Sequence, residues 1–142
     1  MSRVRITRDR DLISRLDEAT FPGEPLGERS LRLSTWWIAT IEGEPVGHAG
    51  CRVVDDGVSV YLNRAGVLSA ARGHGIQRAL IQARLRWGRR RGIKYFVTYT
   101  SLDNPRSANN LIQCGFRLYV PACAWAGRSF LYWQRAFTKE EL

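Results

Sequence analysis

The sequence predicts an α/β (α+β) protein, one mixed β-sheet with helices on both faces, and three features point to it. The first half of the chain is a series of β-branched and aromatic runs punctuated by glycine, aspartate and proline turns. The second half alternates strand-like and helix-like patterns. A length of 142 residues with 44% hydrophobic content sustains one core and is short for two ordinary domains, so residues 1–142 are read as a single domain.

Val4 to Thr7 reads as a first strand and Asp9 to Ala19 as a helix turning Leu12, Ile13 and Leu16 inward. Phe21 to Arg29, with two prolines and two glycines, is a loop or broken helix of the kind that shapes a substrate mouth. Thr35 to Ile41 and Val46 to Val54 flank Glu42-Gly43-Glu44-Pro45, a hairpin signal, and Asp55-Asp56-Gly57 turns the chain into a third run, Val58 to Leu68. Ile76 to Arg91 is a helix with Ile76, Ala79, Leu80, Ala83 and Trp87 on its inner face, ended by Gly92. Arg84, Arg86, Arg89, Arg90 and Arg91 are assigned to its exposed side and its end, where cations oppose the helix dipole. Tyr95 to Thr100 is the next strand, Pro105 to Gln113 a short helix, and Phe116 to Val120 and Phe130 to Phe137 the last strands. The hairpins make the first strands antiparallel, whereas strand-helix-strand succession requires parallel pairing near the middle.

Two strand-to-helix junctions have the composition of an anion site. At Arg72-Gly73-His74-Gly75-Ile76-Gln77 a strand run turns directly into a helix. The first N–H groups of a helix lack intrahelical partners and sit at the positive end of its dipole. Two glycines admit a ligand close to those amides, and Arg72, His74 and Arg78 add charge around them; a tight turn with no ligand would use the same glycines. The second junction, Asp103-Asn104-Pro105-Arg106-Ser107, follows Tyr95 to Thr100. Side by side in one sheet, the two junctions could grip one extended ligand, although Asn104 or Ser107 could equally cap the helix.

Val67 to Gln77 resembles the acyl-CoA motif of the GNAT superfamily of N-acetyltransferases, Gln/Arg-x-x-Gly-x-Gly/Ala, with Arg72 and Gly75 in place and Gln77 where the pattern has a small residue. Asn104 to Phe116 is similar to a later segment of that family, in which Gly-Phe follows an Asn by eleven and twelve residues; Asn104, Gly115 and Phe116 keep the spacing. The resemblance implies a GNAT-like fold in which Val58 to Leu68 and Tyr95 to Thr100 splay into a V, with an acyl-pantetheine in the gap. It implies acetyl-CoA as cofactor, a small amine or peptide as acceptor, and direct attack in a ternary complex. For the cofactor it implies the backbone of Val67 and Leu68, then Arg72, Gly73, His74, Gly75, Ile76, Gln77 and Arg78 at the pyrophosphate, with Asn104, Ser107 and Asn110 on the pantetheine arm.

The catalytic groups are left open. Leu111 stands seven residues after Asn104, where many members carry a tyrosine that protonates the leaving thiolate, and Val58 to Leu68 contains no carboxylate to act as base. Tyr61, Tyr99 and the backbone amide of Leu68 remain, the amide as donor to the thioester carbonyl. Both tyrosines alternate with apolar neighbours and serve equally as packing residues. A phenol of pKa about 10 suits an acid toward thiolate and not a base at neutral pH, which makes water-mediated deprotonation a second route. Arg64, if turned to the substrate, would favour an acceptor bearing a carboxylate or phosphate over a polyamine. Trp36, Trp37, Trp125 and Trp133 either line an acceptor pocket or pack in the core.

The net charge of +9 is almost wholly arginine, since Lys94 and Lys139 are the only lysines, and it implies an anionic partner. Coenzyme A is a polyanion and satisfies this. Nucleic acid is not expected, because no zinc-finger spacing, helix-turn-helix signal or aromatic-basic signature accompanies the charge. Cys51, Cys114 and Cys123 are odd in number and lack a Cys-x-x-Cys, which argues against disulfides and metal ligation and for packed thiols. No run has the length of a membrane span and the start has no apolar leader, so a cytoplasmic protein without a membrane partner is expected. A homodimer is left open by the family resemblance. Beside the N-acetyltransferase stands a second function, a catalytically weak GNAT-like domain that binds acyl-CoA as a sensor or interaction module, favoured by Leu111 and the missing carboxylate.

Overall fold

Glu42 and Gly43 both hold positive φ, 52° and 82°, in the computed structural model, which describes residues 1–141. Such a two-residue left-handed turn matches the twist of a hairpin. It joins β2 (Thr35–Ile41) to β3 (Glu44–Val54), and a further left-handed turn at Asp55, Asp56 and Gly57 leads into β4 (Ser59–Val67). β1 (Ser2–Thr7) pairs with β2, so the first four strands form an antiparallel meander. β4 then pairs in parallel with β5 (Tyr95–Ser101), and β7 (Phe130–Ala136) inserts antiparallel between β5 and β6 (Arg117–Tyr119). The sheet order is β1-β2-β3-β4-β5-β7-β6, the mixed sheet expected from the sequence.

Alternation along β2 separates the two layers that cover the sheet. Trp36 and Ile38 point to α1 (Arg10–Thr20), where they bury with Ile13 and Leu16. Trp37 and Ala39 point to the other side, where Ile76, Leu80, Ile81 and Leu85 of α3 (Ile76–Arg90) pack with Val60, Leu62 and Phe96, and Leu111 of α4 (Pro105–Gln113) joins them. Each such side chain contributes about 1.5–3 kcal/mol by leaving water. α3 lies close on the sheet because Gly88 has no side chain; a Cβ there would be 2.5 Å from the Phe96 ring. Asp9 starts α1 by accepting the Leu12 N–H at 3.0 Å. Gly115, at φ 89°, ends α4, and Phe116 N–H returns to Leu111 O at 3.0 Å while the Phe116 ring buries, which is the physical content of the Gly-Phe pair.

Two expectations need correction. The segment read as a loop or broken helix to Arg29 is loop only as far as Gly27, and turns helical at Glu28, forming α2 (Glu28–Leu33) after the prolines and glycines have passed. Arg84, expected on the exposed side of α3, is only 2% exposed. The reason is a bulge. Ala49 and Cys51 of β3 pair with Ala65 and Leu62, so β4 carries one residue more than β3 at Asn63 and Arg64. Carbonyls that lose their ladder partners there are taken up by Arg84, whose Nη1 donates to Gly50 O (3.1 Å) and Asn63 O (3.4 Å) while its Nε donates to Leu80 O (3.1 Å). Burial pulls the guanidinium down to about 10, which leaves it cationic at neutral pH.

The parallel pairing of β4 with β5 is short. Only Ser59, Val60 and Tyr61 find partners, in Tyr95, Phe96 and Val97. The Thr98 hydroxyl donates to Leu62 O at 2.7 Å, and beyond it the two strands have no paired residues. The V-shaped gap therefore opens at Leu62 and widens toward Val67 and Ser101.

Candidate active site

The chain leaves β4 through Leu68 and a single 3₁₀ turn at Ser69–Ala71, and Gly73 (φ 85°) and Gly75 (φ 71°) then swing it into α3. No side chain caps that helix. The first backbone N–H with an acceptor is Ala79, bonded to Gly75 O, so among the described residues the amides of residues 73 to 78 have no protein acceptor. A fan of bare amides at a helix N-terminus is an anion receptor. It opens on a cleft of about 320 Å³ that Arg72, Arg78 and Arg106 also line. His74 turns aside, its Nδ1–H donating to Ala71 O at 3.0 Å. Arg106 was not singled out in the sequence; proline and arginine in the first turn of α4 were the available signal.

Leu68 was expected to offer its amide to the ligand, and it does not. Its N–H donates to Val46 O at 2.8 Å. Successive strand residues turn their backbone groups to opposite edges, so Val67 and Ala65, not Leu68, direct theirs into the gap. Leu68 is thereby removed as a catalytic donor.

Gln77, the departure from the family pattern, reaches sideways instead of over the amides. Its Nε2 donates to Ser107 Oγ (3.0 Å) and its Oε1 accepts from Asn110 Nδ2 (3.0 Å), tying the first turns of α3 and α4 together. Asn104 caps α4, its Oδ1 accepting from Ser107 N at 3.2 Å, and it still lines the cleft. Phe21, Ala65, Gln77, Asn104 and Ser107 belong both to this cleft and to a second one of about 370 Å³ between β4 and β5, so the two are continuous.

Tyr61 and Tyr99 stand at the far end of that gap, stacked with ring centroids 6.4 Å apart. Burial first, and then the neighbouring Tyr99 phenol, hold Tyr61 well above the ordinary tyrosine value. Leu111 lines the same gap and is buried. Glu24, from the loop after α1, also lines it and is a carboxylate that scanning β4 for a base overlooked. Beyond the tyrosines lies an aromatic cavity walled by the chain between β6 and β7, where Trp125 is 41% exposed; Trp36, Trp37 and Trp133 are core residues.

Arg64 does not face the acceptor as a free cation. The bulge turns Asn63 and Arg64 to the α1 and α2 side together: Asn63 Nδ2 donates to Ser30 and Ser34, and Arg64 Nε and Nη2 donate to the two Asp17 carboxylate oxygens at 2.9 and 3.1 Å. Arg64 also bonds the Glu24 carbonyl and lies 4.2 Å from the Phe21 ring centroid. His48, fully buried, donates from Nε2 to Asp17 Oδ1 at 2.8 Å, with Nδ1 unpartnered. Burial acts to raise the Asp17 pKa, but the hydrogen bonds and charges of His48 and Arg64 outweigh it and hold the carboxyl below its ordinary value.

Cys51 and Cys114 are buried and Cys123 is exposed; burial pushes the Cys51 thiol up to about 12, consistent with packing. Among the described residues no cluster could hold a metal ion, and no helix is long and apolar enough to cross a membrane.

The profile of the Acetyltransferase (GNAT) family matches residues 8–116. The fold is similar to that of the ribosomal-protein-S18-alanine N-acetyltransferase from Escherichia coli, with a TM-score of 0.77 and 16% identity over 100% of this chain and 99% of that one. Arabidopsis thaliana Naa50, in complex with the bisubstrate analogue CoA-Ac-MVNAL, gives 0.78 and 19% over 96% and 99%. A Bacillus subtilis acetyltransferase in complex with CoA gives 0.79 and 13% over 97% and 100%. At these identities the likeness is one of fold. No curated protein sequence matches the chain.

Proposed function

The chain belongs to the Acetyltransferase (GNAT) family, whose acetyl donor is acetyl-CoA, and from that membership we propose that it acetylates the amine of a small molecule or peptide by direct attack in a ternary complex. One observation carries the proposal: the amides of residues 73 to 78, bare of protein acceptors, open onto a cleft continuous with the β4–β5 gap. Those amides, with Arg72, Arg78 and Arg106, suit a diphosphate. Val67 and Ala65 suit an extended amide arm lying beside β4 as an added strand would. Asn104, Ser107 and Asn110 flank that arm from α4, although Ser107 and Asn110 must exchange or share their bonds to Gln77.

Bound acetyl-CoA would supply an activated acyl thioester. The chain's own contribution is to hold the acceptor amine against it and to handle the protons. Tyr61, kept protonated by burial, is unfit as a base at neutral pH and serves as an O–H donor at the junction, with Tyr99 beside it. Asp17 is fully engaged by Arg64 and His48, which leaves Glu24, directly or through water, to accept the proton of the attacking amine. The buried Leu111, in the place of a family tyrosine, favours the second reading of an acyl-CoA-binding module without turnover.

A thermal-shift titration with acetyl-CoA, followed by free-thiol release across an amine panel, tests this. Ligand at 100 times its Kd should stabilise the fold by about 2.7 kcal/mol. Thiol release supports the enzyme and binding without release supports the module; no shift and no heat from acetyl-CoA would refute both.

A further inference from the structure

We propose that the aromatic cavity beyond Tyr61 and Tyr99 binds an amine that carries both a planar ring and a carboxylate, in the manner of an aromatic amino acid; as an acceptor assignment this rests on the acetyl-transfer reading above. The cavity has a volume of about 670 Å³, within the range for small-molecule sites. It lies on the sheet face opposite α3. Its walls are rings: Trp125 stands edge-on to Tyr61 at 5.3 Å and to Tyr99 at 5.6 Å, and Tyr119 lines the side toward β6. Ring walls in T-shaped arrangement accept another ring.

Rings alone would also suit a cation, and Arg52 decides between the two. It sits directly opposite Tyr61 in the β3–β4 register, with its guanidinium carbon 5.7 Å from the Tyr61 ring centroid, and it lines the cavity. Its Nε is buried without a hydrogen-bond partner, and no described carboxylate comes within ion-pair distance of it. Asp55, exposed on the lining, is the one acidic side chain there. An unpaired, partly buried guanidinium repels a polyamine and gains from a ligand carboxylate, which can accept two of its N–H groups at once. The selection of an anionic acceptor expected of Arg64 thus falls to Arg52, because Arg64 is neutralised by Asp17.

The position of the cavity agrees with the chemistry. Tyr61 and Tyr99 line both the cavity and the β4–β5 gap. A ligand whose ring stacks at Trp125 and whose carboxylate meets Arg52 places an α-amine, one carbon from each branch, toward the gap.

Calorimetry on the full chain in the presence of CoA, with L-phenylalanine, phenethylamine, L-glutamate and spermidine as probes, tests the assignment without requiring turnover. Phenylalanine should bind about 10- to 100-fold more tightly than phenethylamine, the margin of a charge-assisted hydrogen bond, and glutamate and spermidine more weakly than phenylalanine. Arg52→Met should bring the ratio of the two ring-bearing probes toward one, and Arg52→Lys should keep part of it; circular dichroism melts show that both variants fold. An absent margin in the unmodified chain, a margin that survives Arg52→Met, or spermidine binding as tightly as phenylalanine would each overturn the proposal. Heats from acetyl-CoA, measured on the same protein preparation before any CoA is added, separate the two levels. Acetyl-CoA binding with no phenylalanine margin sinks the cavity assignment alone, and a phenylalanine margin with no acetyl-CoA heat sinks acetyl transfer while the cavity assignment stands.

Discussion

The two ends of the β4–β5 gap are made of different materials. On the α3 and α4 side the donors are main-chain N–H groups aimed by two left-handed glycines, with arginines at the rim. On the opposite side the lining is made of side chains, the stacked Tyr61 and Tyr99, Trp125 and Arg52, with the Asp17–His48–Arg64 cluster on the same sheet face. A main-chain site persists through extensive sequence change so long as the backbone path is kept. A side-chain site changes with each substitution, so the individuality of this chain resides at the Trp125 and Arg52 end.

Substitution on the main-chain side should have the largest effect. Valine cannot hold a φ of 85°, so Gly73→Val must rebuild the turn and re-aim the amides. No protein atom lies within 4 Å of a Cβ there, so the fold should survive. Acetyl-CoA affinity should fall by about 10³-fold, the worth of two hydrogen bonds to a charged group at about 2 kcal/mol each; calorimetry giving less than a tenfold loss would show that side chains, not amides, hold the anion.

On the other side, Asp17→Ala should leave coenzyme binding nearly intact and destabilise the fold by about 3 kcal/mol, because it strands Arg64 and the buried His48. The same pair fixes the sign of the pH dependence. The folded Asp17 pKa lies below its unfolded value of 3.8, so the cluster stabilises the fold above that pH and the contribution is lost as pH falls through the folded value. Denaturant midpoints of the native chain should therefore drop steeply below about pH 4, and those of Asp17→Ala less so.

The smallest effect should come from Glu24→Gln. Glu24 is exposed and on a loop, and as the proposed base it would pass a proton that water can also take, so kcat should fall by roughly tenfold, below the usual range for a general base, with KM for acetyl-CoA unchanged. A loss confined to KM would instead make Glu24 a binding group.

The same division explains what was legible in the chain. Gly73, Gly75, Gly92 and Gly115 announced the junctions and helix ends, because positive φ has few residue types to choose from. Glu42-Gly43 did so for the hairpin. Arg84 was misplaced because an arginine within a helix belongs to solvent unless acceptors await it. Those acceptors are carbonyls released by a bulge, which has no side-chain signature. Leu68 was misassigned for a related reason, since the edge a strand amide faces follows from register and not from residue type. Arg52 and Glu24 were invisible as site residues until β3 and the α1–α2 loop were placed.

The Arg84 contact has a mechanical corollary. α3 begins at the bare amides and, eight residues along, is bolted by Arg84 to both strands of the β3–β4 bulge, at Gly50 O and Asn63 O. At 1.5 Å of rise per residue, that fixes a span of about 12 Å between the bare-amide tip and the point where the strands part. The helix is thus a gauge rod: it calibrates how deep a ligand anchored at its tip can reach, and shortening or lengthening β4 by one residue would throw that calibration off even if every contacting residue were retained.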